Sequence, residues 1–184
     1  MYRLSERRRL GKAQTRRRRG KRADVVLTRG HHSRWWAAGL QLLLHTKSEW
    51  GPGPWQDEPD RLEWRHASGL PCWIVRNCMG SLCGYVGVPP EHPFYMRAPD
   101  DCNVEVHGGL NYCGHMTELG KERDIWWLGF DCAHCSDLMP LTRGFASVLP
   151  IFLRADLGQT YRTLAYVRTE VERLALQVAE AADG

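Results

Sequence analysis

Two short apolar runs, Pro71-Cys-Trp-Ile-Val75 and Leu82-Cys-Gly-Tyr-Val-Gly-Val88, flank the stretch Arg76-Asn-Cys-Met-Gly80 and predict two strands joined by a turn. Pro89-Pro90-Glu-His-Pro93 ends the second, because proline has no amide proton to give a sheet ladder. Asn103-Val-Glu-Val-His107 alternates, so as a strand it would turn Val104 and Val106 to one face and Glu105 and His107 to the other. Gly108-Gly109 then lets the backbone turn. Ile125-Trp-Trp-Leu-Gly-Phe130 is a continuous apolar run, as expected of a central strand, and it delivers Asp131 at its C-terminal end. In the last segment the period changes: Tyr161, Leu164, Val167, Val171, Leu174 and Val178 recur three or four apart and predict an amphipathic helix. Strands followed by a terminal helix predict an α+β fold, a small and mostly antiparallel sheet with the C-terminal helix packed on it.

Gly51-Pro-Gly-Pro-Trp55 reads as a turn-rich hinge, which divides the chain into an extension over residues 1–48 and a single α+β domain over 49–184. From 56 to 69 the chain is polar and acidic, with Trp55, Leu62 and Trp64 as anchors. The net charge of +4 conceals two regions of opposite sign. Residues 1–22 hold 11 of the 25 Lys and Arg and one acid, Glu6, out of 21, so everything after them is net acidic. Such a basic run neutralises phosphates without sequence specificity, so non-specific nucleic acid is one expected partner; the alternative is an upstream start with no selected role. Residues 35–44 add a short apolar segment that would dock as a helix on the body or on a partner. At 43% hydrophobic the chain can bury a core, which excludes wholesale disorder. Its longest apolar run is broken by Gly39 and Gln41 and is too short to span a bilayer, so no membrane association is expected. No signal-peptide pattern is evident, which makes the cytoplasm the expected location and leaves the seven cysteines reduced. Oligomeric state is not legible.

The densest chemistry lies in Gly129-Phe-Asp-Cys-Ala-His-Cys-Ser-Asp137, directly after the apolar strand. With His107 it offers two imidazoles and two carboxylates that would orient a water, take its proton and return one to a leaving oxygen. His107 and His134 are the candidate acid/base pair, with Asp131 orienting an imidazole and Asp137 assisting. Gly108 and Gly109 would let a phosphate approach the backbone, and Tyr85 and Trp127 would provide stacking surfaces. The plain alternative is that Asp131 caps a turn, His134 satisfies backbone carbonyls and His107 is an ordinary strand residue.

The pattern calls for no cofactor and no metal. Zinc is the alternative, through the CxxC pair Cys132 and Cys135 with the looser pair Cys78 and Cys83. A further acidic group, Asp57, Glu58, Asp60 and Glu63, would bind a cation or a basic partner, or else form a solvated turn. There is no Walker A pattern, no GxSxG elbow and no HExxH, and His107 lacks the second His-x-Ser/Thr of a two-histidine phosphoesterase.

Trp55-x-Asp-Glu-Pro-Asp60, Glu63-Trp-Arg65, Ser68-Gly-Leu-Pro-Cys72, Val106-His-Gly-Gly-Leu110 and Trp126-Trp-Leu-Gly-Phe-Asp-Cys-Ala-His134 resemble an uncharacterised protein family frequent in actinobacteria and their phages. The resemblance spans roughly residues 50–180 and leaves the basic start outside it. Cys135-Ser136 departs from the small residues usual in that family at this place. The resemblance implies a phage setting, where anti-defence factors act on nucleotide immune signals. The expected activity is metal-independent hydrolysis of a small or cyclic nucleotide phosphodiester. Two alternatives stand beside it: a non-catalytic module that sequesters a nucleotide or blocks a host protein, and a structural or nucleic-acid-associated protein acting through the basic tail.

Overall fold

The computed structural model describes residues 47–116, 124–144 and 158–183. The basic run and the 35–44 segment lie outside the described residues. Five strands, β1 (Arg61–Arg65), β2 (Pro71–Arg76), β3 (Leu82–Val88), β4 (Tyr112–Gly114) and β5 (Trp126–Asp131), form one sheet in the order β1-β2-β3-β5-β4. Every neighbouring pair is antiparallel, so the expected α+β architecture is what the chain adopts. The described residues also hold two α-helices, α1 (Pro140–Gly144) and the long α2 (Leu164–Asp183).

The interior of α2 contains no Gly or Pro and is rich in Ala, Leu, Glu and Arg, which favours a helix without tertiary help. Its first turn is capped twice: Thr163 Oγ1 accepts from the Tyr166 amide at 3.3 Å, and Glu58 Oε1 accepts from the Leu164 amide at 2.7 Å. Tyr161, expected within the helix, lies before it and packs with Trp50, Trp55 and Leu138 instead. Val167, Val171, Leu174, Ala175 and Val178 form the buried stripe of α2 and pack on Cys72, Ile74, Val86, Leu128 and Phe130. Each Val, Leu, Ile and Phe among them contributes about 1.5–3 kcal/mol by leaving water. Gly84 lets the helix approach β3 closely, since a Cβ there would stand 2.5 Å from a Val171 methyl.

The opposite face of the sheet carries a second apolar layer. Trp73 stacks on Trp127 with ring centroids 4.0 Å apart, and Tyr85 meets Tyr112 edge-on at 5.7 Å. Among the described residues, no helix is long and apolar enough to cross a membrane.

Other sequence expectations change as well. Strands β1 and β4 were not legible: β1 sits in the polar stretch, and β4 is three residues of a sheet edge. Residues 103–107 do alternate in burial, yet they join no ladder. Their backbone is satisfied by α2 side chains: Gln177 bonds both the N–H and the C=O of Glu105 at 2.8 Å, and Glu170 accepts from the His107 amide at 2.8 Å. Finally, Glu58, mostly buried, and Asp60, still exposed, are more than a solvated acidic turn. They grip the buried Arg76, whose Nε donates to Asp60 at 2.7 Å and whose Nη2 donates to Glu58 at 3.2 Å. Arg76 Nη1 donates to the Tyr161 hydroxyl at 2.7 Å and to the Gly80 carbonyl at 2.8 Å, and that hydroxyl donates in turn to Glu58. This network ties β2 to the start of α2.

Candidate functional site

The loop after β5 is shaped by its own polar groups. Asp131 Oδ1 accepts from the Ala133 amide at 3.0 Å, and the Asp137 amide donates to the His134 carbonyl at 2.9 Å. The loop then meets the segment before α2: Asp137 forms a parallel bridge with Thr160, through Thr160 N–H to Ser136 C=O and Leu138 N–H to Thr160 C=O, each at 3.0 Å. The bridge sets Arg162 beside Asp137. Meanwhile the 103–107 segment, held on α2, brings His107 to the same point.

The Asp137 carboxylate is fully buried and each of its oxygens is engaged. Oδ1 accepts from Arg162 Nε at 2.8 Å. Oδ2 faces His107 Nε2 at 2.8 Å, His134 Nδ1 at 3.2 Å and the His134 amide at 3.1 Å. Burial alone would push the carboxyl up, but bonds from Arg162, His107 and the His134 amide together hold it below its ordinary value. It is an anion in any neutral solution.

The two imidazoles meet edge to face with centroids 5.2 Å apart. His107 is 11% exposed in its side chain and bonds on both nitrogens, Nδ1 lying 3.0 Å from the Tyr166 hydroxyl. His134 is 34% exposed, and its Nε2 has no hydrogen-bond partner among the described residues. Gly108, at φ +67, makes room for that ring, because a Cβ there would stand 2.0 Å from its Cε1. Gly109 shares the left-handed backbone, at φ +82. The Arg162 guanidinium lies 5.0 Å from the Tyr166 ring centroid, and its Nη groups have no hydrogen-bond partner among the described residues.

Of the sequence candidates, His107, His134, Asp137 and Gly108 therefore converge. Asp131 does not join them. It pairs in register with Cys83, and both side chains lie on the face of the sheet that α2 does not cover. There it adds to the burial that pushes the Cys83 thiol up. The carboxylate that meets both imidazoles is Asp137, so the orienting place expected of Asp131 falls to Asp137, and Asp131 has no place in the cluster. Tyr85 and Trp127 are buried on that same far face, only 3% exposed, and cannot stack on a ligand at the histidines.

Cys78, Cys83, Cys132 and Cys135 do not gather as a ligand set among the described residues: Cys83 and Cys132 are buried in different layers and Cys135 is exposed. A metal-capable group does exist elsewhere, with one donor atom each from His107, His134 and Asp137 lying within 4.8 Å of one another.

Sequence reasoning missed Arg162, Tyr166 and Glu170. Their signal was present as a polar stripe, since Arg162, Tyr166, Glu170, Arg173 and Gln177 recur at the spacing of one helical face beside the apolar one. The stripe is what holds the His107 segment and the Asp137 carboxylate. No protein-family model, no curated protein and no solved structure matches this chain.

Proposed function

We propose that His107, His134, Asp137 and Arg162 form a metal-independent acid–base centre that hydrolyses the phosphodiester of a small or cyclic nucleotide, serving an anti-defence role in a phage setting. The observation that carries this reading is one buried carboxylate fixing two imidazoles and a guanidinium, with an edge of His134 and the Arg162 Nη groups left for a ligand. Arg162 binds the phosphate through its two Nη groups, a geometry suited to bidentate recognition. His134 Nε2 takes the proton of the attacking water. The P–O bond to the leaving group breaks, and the departing oxygen is protonated by the Tyr166 hydroxyl, which is resupplied by Nδ1–H of a His107 imidazolium. Asp137 holds that imidazolium by accepting from its Nε2.

A binding module that sequesters a nucleotide anion is the second reading. The same unpartnered Nη groups favour it, because they bind an anion whether or not chemistry follows. Incubation of cyclic dinucleotides and linear nucleotides with the protein, followed by denaturation and mass spectrometry, separates the two. Hydrolysis yields opened or shortened products. Sequestration returns the bound nucleotide intact.

A further inference from the structure

We propose that His107 Nε2, His134 Nδ1 and Asp137 Oδ2 also form a site for a divalent ion of the zinc type, and that ion occupancy and acid–base chemistry at these atoms exclude one another. The exclusion rests on the hydrolytic reading above; the ion site itself rests on geometry alone. Asp137 Oδ2 lies 2.8 Å from His107 Nε2 and 3.2 Å from His134 Nδ1. Donors around an ion with bonds of about 2.0–2.2 Å stand roughly 3–3.5 Å apart; the two oxygen-to-nitrogen distances are within a few tenths of an ångström of that range, and all three donor atoms lie within 4.8 Å of one another. Two imidazoles and one carboxylate are a donor set that suits zinc and its neighbours.

The surrounding groups are those that orient metal ligands. His107 bonds through its far nitrogen to the Tyr166 hydroxyl at 3.0 Å, and the other Asp137 oxygen is held by Arg162 at 2.8 Å. Asp137 is fully buried while the His134 side chain is 34% exposed, so three protein ligands would leave a coordination position toward solvent for water. With a single carboxylate and a guanidinium beside it, the site is weaker than a closed cysteine site.

Exclusion follows from tautomers. An ion on His134 Nδ1 fixes the remaining ring proton on Nε2, the nitrogen required as base. An ion on His107 Nε2 replaces the proton shared with Asp137 and prevents the imidazolium from forming.

The test is calorimetric titration of the chelator-treated full chain with zinc chloride, paralleled by cobalt(II) absorption as a report on the ligand field. Uptake of one ion per chain is expected, at least tenfold weaker in His134→Ala and in His107→Gln and unchanged in Cys135→Ser, with circular dichroism showing all variants folded. No uptake, or uptake undiminished in both histidine variants, overturns the site. In the nucleotide assay, turnover by the chelated protein that zinc suppresses supports the exclusion, and turnover that requires zinc overturns it. Ion uptake lost in His134→Ala without turnover in any state keeps the ion site and overturns the hydrolytic reading together with the exclusion.

Discussion

Gly108 presses on His134 so closely that a Cβ at position 108 would stand 2.0 Å from the Cε1 and 2.2 Å from the Nε2 of the imidazole. The glycine is required twice, once for its φ of +67 and once for the space the ring fills. Gly108→Ala should therefore displace His134 from Asp137 and lower stability by about 1–3 kcal/mol through overpacking and backbone strain. Turnover should fall at least tenfold while the protein stays folded. Histidine NMR shifts, thermal melting and product formation check the three parts separately. Wild-type turnover in Gly108→Ala would show that the ring position does not matter.

Asp137 links stability to pH. Its folded-state pKa lies below the unfolded value of about 3.9, so its contribution is fully present above that value and is lost as pH falls through the folded one. Asp137→Asn should cost about 3 kcal/mol at pH 7, because Arg162 and the two imidazoles lose their common anion. The deficit should shrink as the pH drops below 3.9 or so toward the folded pKa. Urea denaturation of both proteins across pH 2–7 measures it. A deficit that stays constant over that range would contradict the ionic account of Asp137.

Arg162 offers a separation of binding from chemistry. Arg162→Lys keeps the charge near Asp137 but removes the planar fork, and on the proposed role it should raise KM about tenfold with a smaller effect on kcat. Steady-state kinetics on whichever nucleotide is turned over supplies the comparison. An unchanged KM would remove Arg162 from phosphate recognition.

Glu58 tests the scaffold rather than the site. It caps α2 at the Leu164 amide and shares the buried Arg76 with Asp60, so Glu58→Ala leaves a guanidinium short of one partner and a helix short of a cap. About 3 kcal/mol of destabilisation is expected in denaturant titration. A loss under about 1 kcal/mol would mean that Asp60 and Tyr161 alone satisfy Arg76.

The parts of the fold that were legible in sequence are those whose burial is continuous or periodic. Leu82–Val88 and Trp126–Asp131 are buried along nearly their whole length, and Val167, Val171, Leu174 and Val178 keep helical spacing, so hydrophobicity alone marks them. β1 escaped because Arg61, Glu63 and Arg65 face solvent on an edge strand, where the apolar signal falls to Leu62 and Trp64. The 103–107 segment shows the converse. Its alternation reflects real burial of Val106 against the core, but its hydrogen bonds go to Glu170 and Gln177, which local pattern cannot reveal.

The site was half legible for a related reason. His107, His134 and Asp137 stood out by residue type, whereas the choice between Asp131 and Asp137 depends on which face of β5 the Asp131 side chain leaves from and on the bridge from Asp137 to Thr160. Arg162 and Tyr166 entered only once the helix had a neighbour.

The most direct test of the central claim is mass spectrometry of a nucleotide panel, cyclic dinucleotides included, after incubation with the chelator-treated protein or its His134→Ala variant. The account predicts cleavage of at least one phosphodiester by the wild type and a loss of about a hundredfold or more in the variant, the usual scale of a missing general base. Cleavage at the same rate by both proteins, or full recovery of every nucleotide from the wild type, would contradict it.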